Sequence, residues 1–104
     1  MNKEEFMIEV EKANLRSKRV LLKKGEEYSD EDGDRLEQFY RAAATANIEP
    51  TEALFGMAVK HITSLADMCK CPSLYNLKKF REKTTDLRNY TLLLDALLVD
   101  MGIE

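Results

Sequence analysis

Little in this 104-residue chain interrupts a helix: it contains four glycines and two prolines. Alternation of apolar and polar residues, the mark of a half-buried strand, is missing throughout, so a sheet fold is not expected. No apolar run approaches the roughly 18 residues needed to cross a bilayer, which excludes a membrane-spanning helix. The start, Met1-Asn2-Lys3-Glu4-Glu5, has acids where a signal peptide has a basic and then an apolar run; a cytoplasmic address is expected. Cysteine is scarce. Cys69 and Cys71 sit in a Cys-Lys-Cys-Pro turn, and one intervening residue gives neither a zinc-knuckle spacing nor a thioredoxin-type pair, so plain reduced thiols are expected. Glycine-rich phosphate loops, nucleophile elbows and Cys/His dyads are all lacking. Net charge is only −3, and basic residues are not interleaved with aromatics, which leaves nucleic-acid binding without support.

What is present favours helix: Ala, Leu, Glu and Lys dominate, and 44% apolar with 34% charged residues fits a single small domain. A first helix is expected over residues 3–24, with Phe6, Val10, Ala13, Val20 and Leu21 inward, Ile8, Leu15 and Leu22 on a flanking line, and Gly25 as its stop. Residues 26–33 read as an acidic loop. A second helix is expected from about Asp32 to Asn47, with Leu36, Phe39, Tyr40 and Ala43 inward. A third begins at Pro50, carries Leu54, Met57, Ala58, His61, Ile62, Leu65 and Met68 on one face, and ends before Pro72. The last starts between Ser73 and Leu77 and runs to about Met101, with Phe80, Thr84, Leu87, Thr91, Leu94, Leu98 and Met101 as its stripe, widened by Tyr90, Leu93 and Leu97. Four helices and short connections predict an all-α, four-helix antiparallel bundle forming one domain over residues 1–104.

Chemistry concentrates near the start of the last helix. Glu82, Asp86 and Asn89 share a face just where the apolar Leu92-Leu93-Leu94 run begins. Two carboxylates one turn apart suit a divalent cation such as Mg²⁺, which takes one or two carboxylates together with a substrate phosphate. The plain alternative is a solvated face, with Glu82 paired to Lys78 or Lys79. Asp86 lies beside the apolar run, where a carboxylate needs a partner. His61, the sole histidine, points inward and could pair with Asp86, either structurally or as a base. Lys60 could meet a phosphate. The acidic loop lacks the order of an EF-hand, but Glu27 and Asp34, on either side of Tyr28, could lend acids to a metal site.

Three clusters occur in order: Lys24-Gly25-Glu26-Glu27-Tyr28 with Asp34-Arg35-Leu36 and Phe39; Lys60-His61; and Glu82-Lys83-Thr84-Thr85-Asp86-Leu87-Arg88-Asn89-Tyr90. Together they resemble the small phage and prophage proteins of the first nucleotide-modification-associated domain family, over residues 20–100, with Gln38 where that family has Asn. A more distant likeness is to the MazG-like all-α nucleotide pyrophosphohydrolases, which carry Glu-x-x-Glu on one helix and Glu-x-x-Asp before an apolar run on the next. Here Glu82 stands four residues before Asp86, Lys83 takes the usual glutamate position, and Lys60-His61-Ile62-Thr63-Ser64 has no paired glutamates.

The resemblance implies a phage-type protein in the host cytoplasm that binds, or hydrolyses, a nucleotide or nucleotide-derived phosphate. Mg²⁺ would be the cofactor, held by Glu82, Asp86, Glu27 and Asp34. Asp86, Glu82 and His61 would be catalytic, and Lys60, Asn89 and Tyr90 would bind substrate. The alternative is a non-catalytic helical protein that binds a host or phage protein. A short chain with a long apolar last helix is also expected to form a homo-oligomer.

Overall fold

The computed structural model describes the backbone of residues 1–28 and 34–104, and the side chains of 1–24 and 34–104. Four helices follow one another: α1 (Lys3–Tyr28), α2 (Glu37–Ala46), α3 (Pro50–Lys70) and α4 (Leu77–Asp100), with a short 3-10 turn at Pro72–Leu74. No strand occurs among the described residues. The fold is an all-α four-helix bundle.

The helix ends follow from local chemistry. Asn2 Oδ1 accepts the Glu5 backbone N–H at 2.8 Å and opens α1. Pro50 supplies the fixed φ of a first helical residue, and Glu52 reaches back to the Glu49 backbone N–H at 3.4 Å. Asn76 Oδ1 accepts the Lys79 N–H at 2.8 Å to begin α4. Asn47, at φ 56°, takes the left-handed conformation that closes α2, and the Ile48 N–H returns to the Ala43 carbonyl at 3.0 Å.

Two boundaries differ from expectation. Gly25 does not stop α1, which continues to Tyr28; a glycine permits a left-handed exit without compelling one. The second helix begins at Glu37 rather than near Asp32. Asp34 Oδ1 accepts the Leu36 N–H at 2.9 Å and holds the preceding chain in a turn. The expected acidic loop lies largely outside the described residues.

Phe39, Leu54, Leu93 and Leu97 form the centre of the core, bordered by Leu21, Leu36, Tyr40, Met57, Tyr90, Leu94 and Met101. The core therefore belongs to α2, α3 and α4. Tyr40 Oη donates to Asp100 Oδ2 at 2.6 Å and ties α2 to the end of α4; that bond pushes the phenol up to about 12.

The buried line of α4 is Thr85, Asn89, Leu93 and Leu97, a strict i, i+4 series, and not the expected stripe through Phe80, Thr84, Leu87 and Thr91. Its first half is polar because α1 covers it with polar groups. Arg88 Nε donates to Ser17 Oγ at 2.7 Å, and Nη2 donates to the Ala13 carbonyl at 3.1 Å and to Thr85 Oγ1 at 3.2 Å. Ser17 is buried. Arg81 adds a looser ion pair with Glu9 at 3.7 Å.

This clamp generates a prediction. Arg88→Ala leaves the buried Ser17 and Thr85 hydroxyls without their donor and costs about 1–3 kcal/mol in denaturant titration. Hydrogen exchange should accelerate along α1 while α3 keeps its protection. Equal acceleration in both helices would show that the clamp has no local role.

Candidate functional site

Where α1 and α2 meet the α3–α4 pair, the side chains leave a cleft of about 420 Å³. Each helix supplies part of its lining. Lys24 comes from α1, one period beyond Ser17 on the line that faces α4. Arg35 and Gln38 come from the turn and first residues of α2. Gly56, Met57, Lys60 and His61 come from α3, and Asp86, Asn89, Tyr90 and Leu93 from α4. Gly56 faces open space, so a Cβ there would meet nothing within 4 Å.

Asp86 is the hub. Its Oδ1 lies 3.5 Å from Lys24 Nζ and its Oδ2 lies 3.7 Å from His61 Nδ1. The second separation is too long for a hydrogen bond, and Nδ1 is buried with no partner. Tyr90 flanks the imidazole with ring centroids 5.3 Å apart. His61 is held below its ordinary pKa of 6.5, first by burial and then by Lys60, Lys83 and Lys24; Asp86 pulls the other way and loses. The imidazole is therefore neutral at pH 7.

Asn89 is the second unusual group. It is only 6% exposed, and neither its Oδ1 nor its Nδ2 has a hydrogen-bond partner among the described residues. A buried amide with an idle donor and an idle acceptor is costly, and most such groups in folded proteins are satisfied.

Of the residues expected from sequence, Asp86, His61, Lys60, Asn89 and Tyr90 do converge on this cleft. Glu82 does not line it. One turn earlier on α4, Glu82 faces a different groove, shared with Arg16, Arg19, Lys78 and Arg81, and only Asp86 borders both. Asp34 is exposed and occupied in the turn before α2. The side chain of Glu27 lies outside those described. Among the described residues no three His, Cys, Asp or Glu side chains gather in one place. Asp86, already beside Lys24 and His61, does not by itself make a Mg²⁺ site.

Lys24, Arg35 and Gln38 were not singled out from sequence as binding residues, yet each had a signal. Lys24 continues the Ala13–Ser17 line of α1, and Arg35 stands one turn before the buried Phe39. The chain matches no family model, no curated protein and no solved structure. Among the described residues no helix is long and apolar enough to cross a membrane.

The His61 environment fixes the sign of a pH effect. The unfolded chain takes up the imidazole proton more readily than the folded one, so stability falls as pH drops below about 6.5. The urea midpoint of the native protein should decline relative to His61→Gln as the pH falls below about 6.5, and the two should run parallel well above it. A constant gap across that range would mean that the imidazole titrates as it does in water.

Proposed function

We propose that the cleft binds a nucleotide or a nucleotide-derived phosphate. The observation that carries this reading is the gathering of Lys24, Arg35 and Lys60 around one cleft whose floor includes the buried Asn89 amide, without a hydrogen-bond partner among the described residues. These cations outnumber the one carboxylate, Asp86, and favour an anion. Leu21, Phe39, Met57, Tyr90 and Leu93 add apolar and aromatic surface suited to a flat ring. A volume of about 420 Å³ falls within the range of small-molecule sites. Phosphate would meet Lys60 at the cleft and compete with Asp86 for Lys24, and a shift of the Asn89 side chain would bring its amide to the edge of a base or a sugar hydroxyl.

Asp86 pairs with Lys24 at 3.5 Å and lies 3.7 Å from His61 Nδ1, close enough to hydrogen-bond it after a small shift when a ligand binds. With its neutral imidazole, His61 is placed to accept a proton from water if a bound phosphoanhydride is cleaved. Phosphate release during the binding assay reads out that step separately from binding.

The test is a calorimetric titration with nucleoside mono-, di- and triphosphates, pyrophosphate and phosphate, each with Mg²⁺ and with a chelator. Binding should survive chelation and weaken with salt, as direct cation–phosphate contacts require. Lys60→Ala should weaken it by about tenfold, the equivalent of one lost charge-assisted bond of ~1.4 kcal/mol. Asn89→Leu separates function from structure most sharply. Removing an unsatisfied buried amide should stabilise the empty protein by about 1–3 kcal/mol while abolishing nucleotide binding. If Asn89→Leu instead destabilises the protein, or if no compound in the series binds, the reading is wrong.

A further inference from the structure

Helix α1 leaves its most apolar face uncovered. Ile8, Leu15 and Leu22 are 50%, 48% and 63% exposed, recur every seven residues, and lie about half a turn around the helix from the clamp residues Ala13 and Ser17. The whole chain is correspondingly open. It exposes 7622 Å², where a monomer of its 12.0 kDa mass exposes about 6000 Å². Its radius of gyration is 15.7 Å, against about 13 Å for a self-contained domain of this length. The excess of roughly 1600 Å² exceeds the ~800 Å² per partner that a stable interface removes.

Charge along the same helix selects the occupant. Residues 4–11 carry Glu4, Glu5, Glu9 and Glu11, while residues 12–24 carry Lys12, Arg16, Lys18, Arg19, Lys23 and Lys24 and no acid. Such a helix is complementary to itself only when reversed. We infer that a second copy of this chain docks on the outer face of α1, with the two α1 helices antiparallel across a two-fold axis through Leu15. Ile8 then meets Leu22 of the other copy and Leu15 meets its own counterpart. On one flank Glu11 faces Lys18, and on the other Glu5 faces Lys23; all four are exposed in the single chain. Lys12 is held by Glu9 of its own helix at 3.8 Å. A parallel pairing would set acid on acid and base on base. The interface is isologous, so it closes at two copies.

Sedimentation equilibrium across the micromolar range tests this. The native chain should give twice its 12.0 kDa mass. Leu15→Arg sets two cations against each other on the axis and should give the single-chain mass; because Leu15 is exposed in one chain, its circular dichroism should keep the native helicity. Glu11→Lys should weaken association by about tenfold, since the axis repeats each pair, and adding Lys18→Glu should restore it. A native mass of one chain overturns the assignment. So does a dimer unaffected by Leu15→Arg, or a single chain that sediments with anionic lipid vesicles through Leu15.

Discussion

The Arg88 guanidinium is the constraint on which the site depends. It bridges Ala13 and Ser17 of α1 and Thr85 of α4 through three hydrogen bonds, and no carboxylate is among those acceptors. Burial and the nearby Arg16 lower its pKa, a sign that the charge sits where it is not comfortable, although at any physiological pH it stays protonated. What it gains is geometry. A planar fork can fix two helices at one register where a flexible lysine could not. That register sets Lys24, one period further along α1, against Asp86. Without the clamp α1 would touch the core through little more than Leu21, and the cleft would lose a wall.

The cleft runs against the rule that governs the rest of the interior. The core of Phe39, Leu54, Leu93 and Leu97 is apolar. One turn from Leu93 the same line of α4 turns into Asn89 and Thr85, and two groups, the Asn89 amide and His61 Nδ1, are buried without partners. A chain selected only for stability would place apolar residues there, as its neighbours on α3 and α4 do. Gly56 points the same way. A glycine in the middle of a 21-residue helix costs about 1 kcal/mol relative to alanine, and here it lines the cleft although a Cβ would meet nothing within 4 Å. Two of these local violations, Asn89 and His61, lie on one cavity, which is why the proposed ligand is placed there.

Much of this was legible in the residues. Pro50 and Pro72 bracket α3, and most of the inward face of that helix, with His61 near Asp86, follows from a 3.6-residue period, although Ile62, expected on that face, is exposed. The stripe of α4 did not, because Leu92, Leu93, Leu94, Leu97 and Leu98 are apolar on most sides and fit several phases equally well. The true phase is marked by Thr85 and Asn89, which apolar periodicity does not count. The placement of Glu82 failed for a related reason. It does share a helical face with Asp86 and Asn89, but near the start of α4 the neighbouring helix is α1, with Arg16 and Arg19, and not α3. A helical wheel gives directions; which partner lies in each direction is a tertiary fact.

Helix α1 shows the same limit in its strongest form. Of its expected inward residues Leu21 does pack against the core, but Phe6 is 56% exposed, the flanking Leu15 and Leu22 face outward, and Ser17 is buried instead. The inversion is intelligible once both faces are assigned work. The inner face must carry hydroxyl and carbonyl acceptors for Arg88 and a lysine for Asp86, so it is polar. The outer face then carries Ile8, Leu15 and Leu22, and the proposed second copy would remove that stripe from water. One polar clamp inside thus forces one apolar seam outside. The cleft and the seam are opposite consequences of a single helix, and a change that loosens the first alters the surface on which the second depends.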